Sequence, residues 1–386
     1  MTSDYQPQPI TCPRCFTPLP EGMVSWTASA PDSLSHNPTA SAYAGVDTAT
    51  GVIHSADRPL GVTDWTPNGF DPQIHVEVCA TCHYALPPMW RWGSATCVAM
   101  AGARYTGKTV FIAVLIKQLQ QYAERFNQEV TPADETTRQR YSDIYETPLF
   151  VERGIVQATP SAASQAHHPL IFDLGIWDGV KRFLVIRDVA GEDLEEARVG
   201  GRAWEFFARA DAVLFLFDPL RVEDVSDQLR DLVPDTARIG GDPRDVLRVV
   251  LDLIAAGNPR LGIVLSKFDA LQQLSRVQHS AWGRVMGNPG AAFNRDPGLI
   301  NRRYDDDDGQ LLDAEVRSLL QRLHAGPSLL APKNRYTNQP YRARFFAVSA
   351  LGESPEGERL HRNGISPFRC MDPLRWVLAE QNVLQD

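Results

Sequence analysis

From Thr96 onward, short apolar runs alternate with longer stretches that are apolar along one face. The runs Thr96–Ala101, Leu170–Leu174, Phe183–Asp188, Ala212–Phe217, Leu261–Ser266 and Arg344–Ser349 predict strands. The periodic stretches Lys108–Phe126, Val222–Leu232, Pro243–Ala256, Leu311–His324 and Pro373–Asn382 predict helices. Strand and helix in alternation predict an α/β fold: a mostly parallel sheet with helices on both faces. Connections around 131–166, 218–260 and 270–343 exceed ordinary loop lengths, which predicts switch regions or inserted elements there. No internal repeat is visible.

Residues 1–95 carry a different pattern. Two Cys-x-x-Cys pairs, Cys12/Cys15 and Cys79/Cys82, flank a stretch rich in Ser, Thr, Ala, Pro and Gly. Strand-like pieces such as Gln73–Val78 are short, and no helical period stands out. Pro87-Pro88-Met89-Trp90-Arg91-Trp92-Gly93 reads as a linker. The expected organisation is a small region over 1–95 and a larger domain over 96–386, in keeping with roughly 100–200 residues per domain.

Composition narrows the function classes. Apolar residues make up 43% and charged residues 22% of the 386 positions, an ordinary globular balance. A net charge of −9 disfavours nucleic acid as a general partner, because such binding needs a positive face. No apolar run reaches the roughly 18 residues that a membrane span requires. Met1 to Ile10 lacks the basic start and apolar core of a signal peptide, so the expected location is cytoplasmic. In that compartment paired cysteines read as metal or redox sites before disulfides.

The strongest chemical signal is Gly102-Ala103-Arg104-Tyr105-Thr106-Gly107-Lys108-Thr109, which fits G-x-x-x-x-G-K-[ST] at every fixed position. An apolar strand precedes it and an amphipathic helix follows, the context the motif needs. The glycines let the backbone turn around phosphates, and the loop amides and helix N-terminus favour negative charge. Lys108 is expected to reach the β and γ phosphates and the Thr109 hydroxyl to bind magnesium. A second element, Phe183-Leu184-Val185-Ile186-Arg187-Asp188-Val189-Ala190-Gly191-Glu192, ends an apolar strand in a carboxylate. Asp188 is expected to hold the magnesium through a water, and Gly191 to offer its amide to the γ-phosphate.

Asp188-Val189-Ala190-Gly191, Ser266-Lys267-Phe268-Asp269 and Ser349-Ala350-Leu351 follow one another at three predicted strand ends. In this order the chain resembles the translation-factor and Ras-like class of P-loop GTPases. The Phe217-Asp218-Pro219 strand exit and Pro373-Leu374-Arg375-Trp376 helix narrow the resemblance to bacterial double-GTPase-type proteins, which are proposed to act in multi-protein signalling or conflict systems. The resemblance spans about residues 96–386 and implies GTP or GDP with Mg2+ as cofactors. It implies that Asp269 pairs with guanine N1–H and the exocyclic amine, that Lys267 lays its stem along the base, and that the Ala350 amide approaches O6. Adenine lacks that donor pair and strands the carboxylate. Ser266 departs from the usual Asn or Thr; its shorter hydroxyl is expected to tie the strand to the phosphate loop.

Hydrolysis needs a positioned water and added positive charge. Glu192 stands where the related enzymes place Gln, and reads either as the residue orienting that water or as a solvated switch glutamate. Thr159 is the candidate switch threonine for the metal, with Thr136, Thr137 and Thr147 as alternatives. Arg104 and Arg187 are candidate arginine fingers, each weighed against an ordinary surface or phosphate-contacting role; a partner protein could supply the finger instead. The chain thus reads as a nucleotide-controlled switch, with a non-hydrolysing scaffold or a nucleic-acid-associated GTPase as alternatives, and another protein subunit or effector as its expected partner.

Four thiolates in two close pairs suit a closed tetrahedral Zn2+ site, so a zinc ribbon with a long insertion is expected from Cys12, Cys15, Cys79 and Cys82. Cys97 and Cys370 read as core thiols and His83 as a bystander. Asp305-Asp306-Asp307-Asp308 reads as a solvated loop rather than a cation site.

Overall fold

A computed structural model describes residues 10–28, 34–60, 65–154, 168–196, 199–221, 242–276, 281–353 and 360–383. In the N-terminal region β1 (Met23–Ala28) pairs antiparallel with β4 (His54–Asp57) on one side and β5 (His75–Val78) on the other. Between them β2 (Ser35–His36) and β3 (Ala49–Thr50) form a two-residue ladder. A short helix, Pro38–Ala44, precedes that return; Asn37 caps it by accepting the Ala40 amide, and Gly45 ends it at φ 73°. Its start and stop residues stand in the sequence, but seven residues are too few for a helical period to register.

The main sheet has seven strands: β6 (Gly93–Gly102), β7 (Thr131–Pro132), β8 (Leu170–Trp177), β9 (Val180–Asp188), β10 (Ala212–Phe217), β11 (Arg260–Leu265) and β12 (Ala343–Ala347). Their order is β12-β11-β10-β6-β9-β8-β7. From β12 to β9 every pairing is parallel, and the interior strand β10 is buried along its whole length. Continuous Val, Leu and Phe in such strands is what burial under helices on both faces demands, each full side-chain burial contributing about 1.5–3 kcal/mol. The other edge is antiparallel. Asp178 (φ 55°) and Gly179 (φ 75°) form a two-residue turn between β8 and β9, and positive φ at both places is what a tight hairpin needs.

The observed helices include Lys108–Glu124, Pro243–Leu253, Asp306–Arg322 and Asp372–Glu380. The expected helix at Val222–Leu232 lies outside the described residues. Two features depart from expectation. Residues Tyr141–Val151 form a π-helix packed beside the helix Lys108–Glu124. The run Asp305–Asp308 is the start of a helix and no free loop: Asp305 accepts the Asp308 amide as its cap, and Asp306 and Asp308 pair with Arg344 and Arg369. Acidic residues in a first helical turn face the partial positive charge of the helix end.

The segment read as a linker is packed. Trp90 is 2% exposed, lies 4.7 Å from Phe183 by ring centroid, and donates from Nε1 to the Thr11 carbonyl at 3.0 Å. Arg91 donates to the Pro20 and Met23 carbonyls and pairs with Glu77. Phe16 meets Phe206 edge-on at 5.6 Å, so the N-terminal region and the main sheet share one apolar core.

Candidate functional site

The four motifs expected to touch a nucleotide lie at the ends of β6, β9, β11 and β12, the edge where parallel sheets place ligands. β6 ends at Gly102, whose φ of 146° and close approach to β10 exclude a side chain: a Cβ there would sit 2.6 Å from the Leu216 carbonyl oxygen. Gly107, at φ 86°, starts the helix Lys108–Glu124. Between them Thr106 Oγ1 donates to the Ala103 carbonyl at 2.9 Å and tightens the turn. Lys108 is buried; its Nζ donates to the carbonyls of Gly102 at 2.8 Å and Ala103 at 3.2 Å. Burial lowers the pKa of this ammonium, and the charge of Asp188 opposes the shift. Thr109, the next residue, is buried beside it.

Asp188 closes β9 and is 5% exposed. Its Oδ2 accepts the Tyr145 hydroxyl at 3.2 Å, whereas Oδ1 is buried with no hydrogen-bond partner among the described residues. Burial pushes the Asp188 carboxyl above its usual range, with Lys108 pulling the other way. A buried, unmet carboxylate oxygen beside Lys108 fits a cation. Tyr145 was not foreseen: it comes from the π-helix, and nothing in its local pattern marks it. Gly191 packs on the phosphate loop so closely that a Cβ would lie 2.5 Å from the Arg104 amide nitrogen.

Glu192 stands 3.4 Å from Arg104 Nε, with its side chain 21% exposed. Arg104 also pairs with Glu195 at 3.2 Å and Glu196 at 2.9 Å, and its backbone N–H donates to Glu195 Oε1 at 2.8 Å. Arg187 turns away from the phosphate loop: it donates to the Arg14 carbonyl and stacks 3.8 Å from the Phe206 ring centroid. Strand alternation forces this, since neighbours on β9 point to opposite faces of the sheet. Thr159 lies outside the described residues. Among the alternatives, Thr137 Oγ1 accepts the Ile171 amide, Thr136 lies in the helix Glu135–Arg140, and Thr147 Oγ1 is 3.4 Å from Ser142 Oγ.

At the base end Asp269 is 7% exposed, and Ser349 Oγ donates to its Oδ1 at 2.6 Å. The Gly352 amide donates to Ser349 Oγ at 2.9 Å, which fixes the turn through Ala350 and Leu351. Lys267 adopts φ 52° and puts Nζ 3.0 Å from the fully buried Asp218. Ser266 does not reach the phosphate loop. Its amide and hydroxyl both meet the Phe217 carbonyl, at 3.0 and 3.4 Å, tying β11 to β10; the hydroxyl arm is too short for more.

The four thiols of the N-terminal pairs come together, all sulfurs within 4.8 Å of one another. Cys12 Sγ to Cys82 Sγ is 3.5 Å and Cys15 Sγ to Cys79 Sγ 3.8 Å. A tetrahedral zinc with bonds of about 2.3 Å holds its sulfurs about 3.8 Å apart. The Arg14 and Thr81 amides each donate to the first sulfur of their own pair at 3.4 Å, as a thiolate requires. All four are buried and free of disulfides. The cluster therefore fits the metal. His83 stays outside it, at 2.9 Å from Asn37 Nδ2, while Cys97 and Cys370 are buried core thiols as expected. No described helix is long and apolar enough to cross a membrane.

A mostly parallel α/β sheet carrying this loop, this carboxylate and this base-side turn defines a P-loop GTPase fold. The chain belongs to the Double-GTPase 2 family, whose model matches residues 96–320, more than half of its length. It is 47% identical over 383 residues to a Mycolicibacterium smegmatis protein named "Putative ESX-1 scaffolding and assembly protein SaeC", covering 97% of this chain and 99% of that one. Among solved structures it is similar to the GTP-bound Saccharomyces cerevisiae Ski7 GTPase-like domain, at 10% identity and TM-score 0.30, covering 75% of this chain and 50% of that chain. It also matches the signal recognition particle receptor SRb-GTP/SRX complex from Chaetomium thermophilum, at 12% identity and TM-score 0.26, covering 67% of this chain and 94% of that chain. The chain spans about half the length of the Ski7 chain it matches. Membership of the family rests on the two sequence matches.

Proposed function

We propose that the chain binds GTP and GDP with Mg2+ and uses the nucleotide state to control docking of protein subunits in a secretion-type assembly. The observation that carries the guanine reading is the Ser349–Asp269 hydrogen bond of 2.6 Å, which holds a buried carboxylate rigid at the end of β11. A carboxylate fixed in this way matches two adjacent donors on guanine and is left unsatisfied by adenine. Lys108 and the loop from Gly102 to Thr109 supply the phosphate site, and Asp188 with Thr109 would hold the magnesium, which neutralises phosphate charge when bound.

An assembly role is supported by the relative's name and by the shared core through which the cysteine region packs on the nucleotide domain. Hydrolysis is slow in this reading, because Glu192 is engaged by Arg104. The zinc-binding region, over 1–95, serves as the docking module of the 96–386 nucleotide domain.

Equilibrium titration tests the base reading. GTP should bind at least about tenfold more tightly than ATP, a difference of about 1.4 kcal/mol. Asp269→Asn should lose GTP affinity and gain affinity for xanthosine triphosphate, while Lys108→Ala should bind none of them. Equal GTP and ATP affinity in the parent would overturn the guanine assignment, and unchanged affinity in Lys108→Ala would overturn the phosphate site.

A further inference from the structure

We infer that Arg221 is a second phosphate-binding cation of the nucleotide site, delivered from the exit of β10. The inference rests on the nucleotide reading above and adds a residue outside its motifs.

Arg221 ends the turn Pro219–Arg221 that follows β10. Its side chain is 3% exposed, yet Nε and Nη1 make no hydrogen bond among the described residues. Among the described residues the nearest acid is Asp218, whose Oδ2 lies 3.6 Å from Arg221 Nε and 3.0 Å from Lys267 Nζ. One carboxylate therefore faces two cations and is closer to the other. The guanidinium lies 5.7 Å from the ring centroid of Tyr105, the fourth residue of the phosphate loop. Burial lowers the Lys108 pKa, Asp188 and Glu192 oppose the shift, and the charge of Arg221 adds to it.

A buried guanidinium with two unused N–H groups is costly unless an acceptor arrives. Its planar fork matches phosphate oxygens and forms short, charge-assisted bonds with them. The loop beside it is built for the same anion. An anionic ligand would thus meet Arg221 and Lys108 together, whereas the base end is served by Asp269 and Ser349. The competing role is structural, with Arg221 merely steadying Asp218 and through it Lys267 at the base. That role predicts a loss on the nucleoside as well as on the phosphates.

Displacement of a fluorescent guanine nucleotide from the full chain by guanosine, GDP and GTPγS separates the two. Arg221→Gln should weaken GDP and GTPγS by about tenfold, one charge-assisted contact, and leave guanosine within about twofold. Arg221→Lys should recover part of the loss, as a point charge without the fork. Thermal unfolding of both variants checks that they fold, and the Lys variant decides if the Gln variant does not. Unchanged phosphate affinity, or an equal loss on guanosine, overturns the role of Arg221 while the nucleotide reading stands. A parent chain that binds neither GDP nor GTPγS overturns both.

Discussion

Arg187, the residue before Asp188 on β9, donates from its guanidinium to the carbonyl of Arg14, which lies inside the first cysteine pair. The cysteine cluster and the carboxylate at the end of β9 are thus one side chain apart. Arg187 also stacks on Phe206, and Phe206 packs on Phe16, so the link is apolar as well as polar. Arg187→Gln should lower stability by about 1–3 kcal/mol, because a buried carbonyl loses a charged donor. Chemical denaturation checks the size. No change in midpoint would mean that the contact carries no weight.

The sulfur spacing predicts about one zinc per chain in purified protein. Cys15→Ser should lose the metal and unfold at lower temperature, since Cys15 lies in the core that the two regions share. Native mass spectrometry checks the stoichiometry. Protein with a Cys12–Cys15 disulfide and no metal would remove the assignment.

Asp372 gives stability a pH signature. Burial pushes its carboxyl up to about 6, with Arg369, whose Nε donates to Oδ2 at 2.9 Å, opposing. The folded pKa is above the unfolded one, so this contribution is complete below about pH 4 and is lost as pH rises through about 6. A shift of this size corresponds to about 3 kcal/mol at most, by linkage. Asp372→Asn keeps an acceptor for Arg369 and should flatten that part of the profile. Urea midpoints measured between pH 4 and 7 decide it; parallel profiles for parent and variant would exclude the titration.

Much of this molecule is written locally. The phosphate loop announces itself because its glycines, lysine and threonine act within eight consecutive residues, and β10 because a buried parallel strand is apolar throughout. Both cysteine pairs were readable from spacing alone. Less legible was whatever depends on a partner distant in sequence. Tyr145 reaches Asp188 from a π-helix that no period marks, and Trp90 looks like linker residue until Phe183 and Thr11 are beside it. Arg187 was a plausible phosphate ligand in sequence; the alternation of β9 sends it to the opposite face. Asp178-Gly179 carried a hairpin signal that the long apolar runs on either side masked.

Glu195 occupies a phosphate-loop amide with a carboxylate. Its Oε1 accepts the Arg104 N–H at 2.8 Å, and its Oε2 lies 3.2 Å from Arg104 Nε. Amides of this loop are the groups that serve phosphate oxygens, so a carboxylate there competes with the ligand for the same donor. Arg104 also holds Glu192 and Glu196, which keeps three acidic side chains against the loop. An incoming phosphate must displace Glu195 or accept its charge nearby, and either costs affinity. Glu195→Ala should therefore raise GTPγS affinity by about three- to tenfold, the scale of one charge-assisted hydrogen bond discounted for partial exposure. Glu195→Gln should fall between, since the amide still accepts but carries no charge. Titrations at low and high salt separate the charge from the contact, because salt weakens only the former. Unchanged affinity in both variants would show that Glu195 does not compete with the ligand, and reduced affinity in both that it props the loop open.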